Sequence, residues 1–553
     1  MKSSDLFVKC LENEGVEYVF GVPGEENLDV IESLRTSKIK LIVTRHEQVA
    51  AFMAATYGRL TGKAGVCLST LGPGATNLVT GIAYAYLGGM PIVAITGQKG
   101  VRENYQGNFQ IIDIVNIFKP ITKWNIQLIS PRTIPRFVRY AFKTAEEERP
   151  GPTHIELPED IADEQLDESY VPLENDKIRR SAPDPKALQL AIELIQKSKC
   201  PIIIVSSGAN RKRISKQLKN FVDKTGIFVV HTQMGKGVLS DEDEHSLFSM
   251  GIHRKDLIHC AIEMADLVIT IGYNIVEYPP SVWNKAKEKK ILHIDFVTAE
   301  PDEYYNPSLE LIGDVSHSLW ALYDQINSID VQNAHYDFSY FKKVRAKLLQ
   351  VQQEYKDDKH FPMKPQKIVF DVRQVMGKED IVSLDNGIYK IWFARLYPTY
   401  AENTLLLDNA LASMGAGMPA AMAAKLIYPE KKVLAVCGDG GFMMNSQDLE
   451  TAIRCNLNIV ILLLRDDAYG FIRWKQQGMG FTDFGMTFGN PDFVKYAEAY
   501  GAIGYRVEKA EQLLPTLQKA FAQNKPVIID CQIDYSENKK LTTELGENVC
   551  ELI

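Results

Sequence analysis

Short apolar runs of strand length recur along this chain of 553 residues and alternate with longer helical patterns. Runs such as PIVAIT near residue 93, LVITIG near 269 and KVLAVCG near 434 end in Gly or Thr, where a strand passes into a loop. This alternation is typical of parallel sheets that are covered by helices on both faces. We therefore expect an α/β protein whose ligand sites lie beyond the carboxyl ends of its strands.

Two polar, proline-containing stretches, at about 165–186 and 330–366, divide the chain into three parts. At about 150 residues per domain, each part is long enough to fold as one domain. We expect three consecutive doubly wound domains with mainly parallel sheets, over residues 1–170, 186–330 and 365–553. The first and third parts share a layout of strand, Gly-rich turn and helix, which suggests two related halves.

Composition excludes several classes of protein. The formal net charge is −8 and no long basic run occurs, so a nucleic-acid or anionic-membrane surface is not expected. No apolar stretch of about 18 residues predicts a membrane span, and the polar start MKSSDLFVKCLENEG does not resemble a secretory signal. The eight cysteines form no CxxC pair, and we interpret them as small buried hydrophobic residues in a reducing cytoplasm rather than as disulfides or zinc ligands.

A Gly-rich turn with an acid at its centre follows the run KVLAVC. Residues 438–441 read GDGG, and backbone N–H groups in such a turn can hold phosphate oxygens. The next predicted strand, NIVILLL, leads into residues 465–467 (RDD), so Asp466 returns to the same sheet edge as Asp439. A tight turn and a solvated acidic turn would explain the motifs separately. Together they favour a Mg²⁺ site beside a phosphate.

The GDG turn, followed at this interval by a second acid, resembles the cofactor motif of the thiamine diphosphate enzymes. The resemblance implies that Asp439, Asp466 and the backbone carbonyl of Ala468 hold Mg²⁺ on the diphosphate. It also implies cofactor contacts from residues around both motifs, namely Gly438, Gly440, Gly441, Phe442, Tyr469, Gly470 and Phe471.

The first part of the chain matches the same family independently. Residues 44–47 (TRHE) close the run IKLIVT and open an Ala- and Met-rich helix. A glutamate in the first turn of a helix commonly interacts with the helix dipole. In the thiamine diphosphate family, a glutamate at this place bonds to the aminopyrimidine ring and promotes loss of the thiazolium C2 proton, a role that needs a shielded carboxyl group. The resemblance therefore implies a catalytic role for Glu47, with His46 as a structural neighbour.

Four further segments resemble the cofactor loops of the family: residues 21–25 (GVPGE), 71–77 (LGPGATN), 385–387 (DNG) and 413–415 (SMG). These segments can also be interpreted as tight turns, and the methionine as an apolar core residue. The matches occur in the family's order along nearly the whole chain. The contacts that they imply come from Pro23, Gly24, Gly74, Asn77, Gly387, Ile388 and Met414, of which Met414 would hold the cofactor bent.

Within the family, the chain resembles the acetolactate synthases, and of these the flavin-free, catabolic branch. The segment ADLVITIGYNIVEYPPSVWN lacks the RFDDR-like segment that accompanies flavin, and Ile391-Trp392 and Asp466 also agree with that branch. The cofactors implied are thiamine diphosphate and Mg²⁺, with FAD absent. The reaction implied is decarboxylation of pyruvate and addition of the hydroxyethyl carbanion to a second 2-keto acid, which gives 2-acetolactate and CO₂. A homodimer or homotetramer is also implied, in which Glu47 of one chain faces Asp439 of another.

Two places depart from the catabolic pattern. Phe109-Gln110 stands where catabolic enzymes have His-Gln, and Gln110 still fits a catalytic amide that faces the substrate. The tryptophan that shapes the acceptor pocket of biosynthetic relatives falls at Trp474 or, without a gap, at Lys475. With Phe109, these side chains form the predicted substrate pocket.

Three other classes of protein remain as alternatives. A related decarboxylase, an oxidase or a carboligase with a different acceptor would use the same cofactor. A non-catalytic protein would keep only the fold, although the intact Glu47, Asp439 and Asp466 argue against it. A dehydrogenase would need a GxGxxG turn with an acid about 20 residues further on, which we do not find.

Overall fold

The computed structural model describes residues 1–103, 107–175, 180–250, 256–326, 336–543 and 549–550. In these parts, the chain forms three six-stranded sheets that follow one another, and each pairing of named strands is parallel. Helices flank each sheet, so the expected α/β fold class is confirmed.

The first sheet lies in the N-terminal third of the chain. Its strands are β1 (Tyr18–Gly21), β2 (Lys40–Val43), β3 (Gly65–Ser69), β4 (Ile92–Gln98), β5 (Trp124–Gln127) and β6 (Pro152–Pro158). Their order across the sheet is β2-β1-β3-β4-β6-β5. The α-helices of this part are α1 (Ser3–Asn13), α2 (Leu28–Arg35), α3 (Glu47–Thr61), α4 (Gly72–Gly88), α5 (Ile114–Phe118), α6 (Ile134–Glu146) and α7 (Glu159–Asp163).

The middle sheet is doubly wound. Its strands are β7 (Pro201–Val205), β8 (Phe228–His231), β9 (Ser246–Ser249), β10 (Leu267–Ile271), β11 (Lys290–Asp295) and β12 (Leu309–Ile312). The order β12-β11-β10-β7-β8-β9 places the reversal of strand order between β7 and β10. The helices are α8 (Pro185–Lys197), α9 (Lys212–Thr225), α10 (Leu257–Met264) and α11 (Val315–Ile326), followed by α12 (Ser339–Gln353) in the second connecting stretch.

The third sheet repeats the first. Its strands are β13 (Ile381–Leu384), β14 (Leu405–Leu406), β15 (Val433–Gly438), β16 (Val460–Arg465), β17 (Ile503–Val507) and β18 (Val527–Gln532). Their order, β14-β13-β15-β16-β18-β17, is that of the first sheet, which confirms the layout expected from the sequence. The helices are α13 (Pro365–Val375), α14 (Ile388–Leu396), α15 (Gly417–Ile427), α16 (Asp439–Asn445), α17 (Leu449–Arg454), α18 (Gly470–Gly478), α19 (Phe493–Ala499), α20 (Leu513–Phe521) and α21 (Lys540–Thr543).

Helix α3 joins the first and third sheets into one core. Its segment 49–55 is apolar on every side and fully buried, because the helix packs against α4 on its own sheet and against α15 of the third. Its N-cap is His46, whose Nδ1 accepts the N–H of Gln48, and its C-cap is Gly62, whose φ of 71° suits a glycine. The helix that starts with Glu47 is therefore held rigidly at both ends.

The interpretation of the cysteines was wrong for one pair. Cys260 on α10 and Cys550 form a disulfide across 290 residues of sequence, a pairing that only the tertiary structure reveals. Cysteines 10, 67, 437 and 531 are buried as expected, whereas Cys200 and Cys455 are partly exposed. Within the described ranges, no helix is long and apolar enough to cross a membrane.

Candidate active site

A cavity of about 480 Å³ lies at the carboxyl edge of the third sheet. Its wall is formed by the loops that follow β13, β14, β15 and β16, together with Tyr535 after β18 and Gln233 from the middle domain. This is where an open parallel sheet is expected to bind its ligand. All predicted site residues from Gly387 to Lys475 line this wall, with the exception of Phe442.

Asp439 lies at the start of α16, directly after β15, and only 1% of it is exposed. One carboxylate oxygen accepts the N–H of Asp467 and the side-chain amide of Asn490, each at 2.8 Å. The other accepts the N–H of Gly440 at 3.0 Å. Burial raises the pKa of this carboxyl group above its usual value. The hydrogen bonds fix its orientation at the cavity wall.

Asp466 follows β16 and faces the same cavity. Burial, and then the charge of Asp439, raise the pKa of Asp466 to about 7. A Cβ on Gly470 would lie 2.4 Å from Asp466 Oδ2, so a larger residue there would displace the Asp466 carboxylate. Two like-charged carboxylates, one buried and one partly exposed, repel each other here and form a site that a cation would stabilise.

The donor set suits Mg²⁺ on a diphosphate. Within the described ranges, no group of three or more His, Cys, Asp or Glu side chains could hold a metal by itself. As monodentate donors, the carboxylates of Asp439 and Asp466 would supply two oxygen ligands. The carbonyl of Ala468, which also lines the cavity, would add a third. Mg²⁺ characteristically completes such a partial set with phosphate oxygens and water.

The GDGG turn packs tightly against aromatic side chains. The Gly438 N–H donates to the Tyr389 hydroxyl at 2.9 Å. A Cβ on Gly440 would meet the Tyr469 ring at 3.0 Å, and one on Gly438 would meet the Tyr389 ring at 3.1 Å. Small residues therefore allow the backbone of this turn to reach the cavity wall between two tyrosines.

The turn after β13 departs from expectation at Asp385. The sequence predicted diphosphate contacts from residues 385–387, and of these three Asn386 and Gly387 line the cavity whereas Asp385 does not. It accepts the N–H groups of Asn386 at 2.6 Å and Gly415 at 2.8 Å. Burial raises its pKa to about 6. Asp385 therefore braces the two loops that contain Asn386 and Gly415.

Phe442 also departs from its predicted place. Its side chain is buried and packs against Phe493 and Tyr496, with ring centroids 6.0 and 6.2 Å away. It lies outside the cavity wall because position 442 falls on the core side of α16. Only its backbone remains as a candidate for a cofactor contact.

The predicted residues of the first domain gather at the carboxyl edge of the first sheet. The Asn77 amide donates to Glu47 Oε2 at 2.9 Å, and a Cβ on Gly74 would lie 3.1 Å from Glu47 Oε1. Glu47 is 7% exposed. Gly24, which follows Pro23 in the first loop, lies against Thr70, since its Cβ would come within 2.4 Å of that side chain. We call Glu47, Gly74 and Asn77 the Glu47 cluster.

Phe109 and Gln110 lie on the loop beside this cluster. The Gln110 carbonyl packs on Gly72 at the start of α4, where a Cβ would be 2.2 Å away. Gln110 has a positive φ of 60°, and Phe109 is 80% exposed. Neither they nor the Glu47 cluster lines the cavity, whose wall contains, of the residues that the structure describes, none before Gln233. One chain therefore keeps the two groups of predicted residues apart.

Comparison with known proteins identifies the family. Residues 1–117, 188–322 and 385–531 match the N-terminal TPP binding, central and C-terminal TPP binding domains of the thiamine pyrophosphate (thiamine diphosphate) enzymes. The acetolactate synthase of Bacillus subtilis (strain 168) is 35% identical over 554 residues, which cover 99% of this chain and 96% of the relative.

The chain belongs to the thiamine pyrophosphate enzyme family.

Two other relatives are similar over almost their whole length. The catabolic acetolactate synthase of Raoultella terrigena is 34% identical, covering 98% of this chain and 97% of the relative. A probable acetolactate synthase large subunit of Methanocaldococcus jannaschii is 34% identical, covering 97% and 93%. The recognition made from the motifs is confirmed at the level of the family and of its acetolactate synthase members.

Sequence reasoning missed several residues at the site of this thiamine pyrophosphate enzyme. Tyr389 and Lys390 directly follow the recognised segment 385–388, so proximity in sequence was the signal that could have found them. Gln233 comes from the middle domain, and Asn490 reaches Asp439 from a loop without periodic pattern. The remaining missed members of the cavity wall include Asn409, Ala412, Ile472 and Tyr535.

Proposed function

We propose that this thiamine pyrophosphate enzyme is a carboligase of the acetolactate synthase type, which converts two pyruvate molecules to 2-acetolactate and CO₂. The observation that carries the proposal is the pair formed by buried Asp439 and partly exposed Asp466 in a cavity bounded by the GDGG turn. The similarity to acetolactate synthases over nearly the whole chain supports the choice of reaction.

Mg²⁺ and the diphosphate of the cofactor would bind at the GDGG edge of the cavity. Asp439 and Asp466, with the Ala468 carbonyl, would hold the cation. The small residues of the turn would admit the diphosphate, and Gly387 and Ile388 also line the cavity for it to contact. Tyr469, Gly470 and Phe471 begin α18 beside the metal ligands, so the same helix would contact both the cofactor and the substrate.

When bound, thiamine diphosphate supplies the carbanion chemistry at its thiazolium C2 that decarboxylation of a 2-keto acid requires. Glu47 would share a proton with the aminopyrimidine ring, and Asn77 holds the Glu47 carboxylate for that contact. Met414, at the cavity wall, would support the bound cofactor. Gln110 would orient the substrate by an amide hydrogen bond.

Apolar and cationic side chains would bind the second keto acid and exclude water. Trp474 and Phe471 pack edge to face, with centroids 5.8 Å apart. The Lys475 ammonium lies 5.0 Å from the Trp474 ring and is at the cavity wall. Such a wall suits the carboxylate and the short apolar chain of a 2-keto acid, and water exclusion protects a carbanion from protonation. Phe109 of a second copy would close this wall.

We also propose that the working unit is at least a dimer. The Glu47 cluster is shielded, yet it does not reach the cavity of its own chain, and Phe109 beside it is 80% exposed. A second copy that places its Glu47 cluster over the cavity would complete the site and cover Phe109. A tetramer of two such dimers is compatible with this arrangement.

The middle domain supports a flavin-free reaction. Ligands of doubly wound sheets bind where the strand order reverses, here between β7 and β10. The Glu277 carboxylate is fully buried in that crevice and accepts the hydroxyls of Ser206 at 2.8 Å and Thr232 at 2.9 Å. It also accepts the N–H of Met234 at 2.5 Å. A carboxylate of the chain itself therefore takes the donors that a nucleotide phosphate would need.

The test is to incubate the purified protein with pyruvate, Mg²⁺ and thiamine diphosphate, and to measure acetolactate, acetaldehyde and the absorbance spectrum. We expect acetolactate as the main product from a colourless protein. Acetaldehyde with little acetolactate would instead identify a decarboxylase. A flavin spectrum would contradict the role given to Glu277. The Glu47→Gln protein serves as the matched inactive control.

A further inference from the structure

Lys390 is a buried cation at the inner wall of the cavity, on the first turn of α14. It is 7% exposed, and its ammonium donates to Asn386 Oδ1 at 2.6 Å, to the Asp408 carbonyl at 2.8 Å and to Asn409 Oδ1 at 3.2 Å. An ammonium has three N–H donors, so each has an acceptor. Lys390 therefore has no donor left for a ligand and acts on the cavity through its neighbours.

The first neighbour, Asn386, controls the backbone beside Met414. Its side-chain amide donates to the carbonyl of Ser413 at 2.6 Å. On the other side of Met414, the Gly415 N–H donates to the Asp385 carboxylate at 2.8 Å. Both flanks of Met414 are thus held by the turn after β13. The Lys390 ammonium can only donate, so it binds the amide oxygen of Asn386 and leaves the NH₂ group directed at Ser413. Lys390 therefore fixes one of these two anchors.

The second neighbour, Asn409, connects the cavity to the middle domain. Its side-chain amide donates to the Glu277 carbonyl at 3.0 Å, while its oxygen accepts from Lys390. Glu277 is itself fixed in the crevice between β7 and β10 by Ser206 and Thr232. Through Asn386 and Asn409, Lys390 therefore connects the turn after β13 with Glu277 of the middle domain along the inner wall of the cavity.

The charges around Lys390 come from three parts of the fold. Asp408 lies on the loop after β14, Glu277 in the middle domain and Asp385 at the end of β13. Arg59 from α3 faces Asp408 and Glu277. Burial lowers the pKa of Lys390 to about 8. A neutral amine has only two N–H donors and a lone pair, so it would leave one of the three acceptors without its partner.

We propose that Lys390 is a positioning residue, whose ammonium holds Met414 in place for the bound cofactor through the Asn386 amide. The proposal rests on thiamine diphosphate as the ligand of the proposed function, but not on the identity of the substrate. Loss of the ammonium would let the Asn386 amide turn and the 413–415 turn relax. Cofactor binding would then weaken although no direct contact is lost.

The test compares two variants with a matched control. Lys390→Met removes the ammonium at similar length, and Lys390→Arg keeps a charge at every pH. Lys425→Met is the control, because Lys425 is also 7% exposed and donates to backbone carbonyls, those of Pro429 and Lys431, away from the cavity. Calorimetric titration with thiamine diphosphate and Mg²⁺ gives the Kd without substrate, and melting curves report stability.

At neutral pH, we expect the Kd of Lys390→Met to rise at least about tenfold, the size of losing a hydrogen bond to a charged group, while Lys425→Met binds like the wild type. With rising pH, the wild-type Kd divided by that of Lys390→Arg should increase roughly fivefold across pH 8, because only lysine loses its proton there. Protonation of Asp466 affects both proteins and cancels in this ratio.

Two results would overturn the proposal. One is a Lys390→Met protein as stable as Lys425→Met that binds thiamine diphosphate within about twofold of the wild type. The other is a ratio of the wild-type Kd to the Lys390→Arg Kd that stays constant with pH. This second result decides the matter if Lys390→Met does not fold. A wild type that binds the cofactor but makes no acetolactate would contradict the proposed reaction and leave this test intact.

Discussion

Asp466→Asn is expected to stabilise the protein when Mg²⁺ and thiamine diphosphate are absent. The substitution keeps the shape of the side chain and removes one of two like charges at the cavity wall. The unfolded carboxyl group titrates near 3.8 and the folded one near 7, so the folded state binds more protons between those pH values. Stability therefore falls as the pH rises through this window, and the loss is complete above about pH 7.

The size of the effect follows from that shift. A pKa that moves from 3.8 to about 7 corresponds to about 4 kcal/mol. The side chain is partly exposed, so solvent screening reduces the expected gain to about 1–2 kcal/mol. At about 2–4 °C per kcal/mol for a domain of this size, the melting temperature should rise by about 2–8 °C at pH 8. At about pH 4, the gain should vanish.

The assay is thermal unfolding in the presence of a chelator at pH 4 and pH 8. Asp467→Asn is the matched control, since Asp467 lies on the same turn but pairs with Arg465 at 3.2 Å and accepts from Asn490 at 2.8 Å. This control should not gain stability at either pH. An Asp466→Asn protein that melts at or below the wild-type temperature at pH 8, or gains equally at pH 4, would refute the reasoning.

Three further substitutions test other parts of the account. Gly470→Ala places a Cβ 2.4 Å from Asp466 Oδ2 and should weaken Mg²⁺-dependent cofactor binding at least about tenfold by calorimetry, whereas Gly478→Ala, with no atom within 4 Å, should not. A reducing agent should lower the melting temperature of the wild type but not of Cys260→Ser, because the Cys260–Cys550 disulfide constrains the unfolded chain; equal shifts would contradict this. Trp474→Ala should increase the share of product from a longer 2-keto acid in competition with pyruvate, and an unchanged ratio would remove Trp474 from the acceptor pocket.

Much of the fold followed from local patterns. Strands such as β16, whose residues 460–464 are at most 1% exposed, are buried on both faces and therefore stand out as continuous apolar runs. Parallel strands then bring their carboxyl ends to one edge, which is why Asp439 and Asp466 were predicted together. The order of the strands within each sheet was not predicted. The sequence indicated only that the first and third parts share a layout.

The features that were missed depend on contacts between distant segments. Asn490 lies 23 residues beyond Asp467, in a loop without regular pattern, and yet it bonds to both Asp467 and Asp439. The direction of Phe442 into the core depends on the packing of α16, which a motif does not encode. The role of Lys390 was not predicted, because its three acceptors meet only in the folded chain.

The central claim is that the cavity is one half of an active site and that Glu47 of a second copy completes it. The direct measurement is to mix inactive Glu47→Gln and Asp439→Ala chains, exchange their subunits, and assay acetolactate formation. At equal ratio, half of the dimers are mixed and one of the two sites in each is intact, so about a quarter of wild-type activity should return. No activity at any ratio, with mixed dimers shown to form, would mean that each site lies within one chain and would contradict the account.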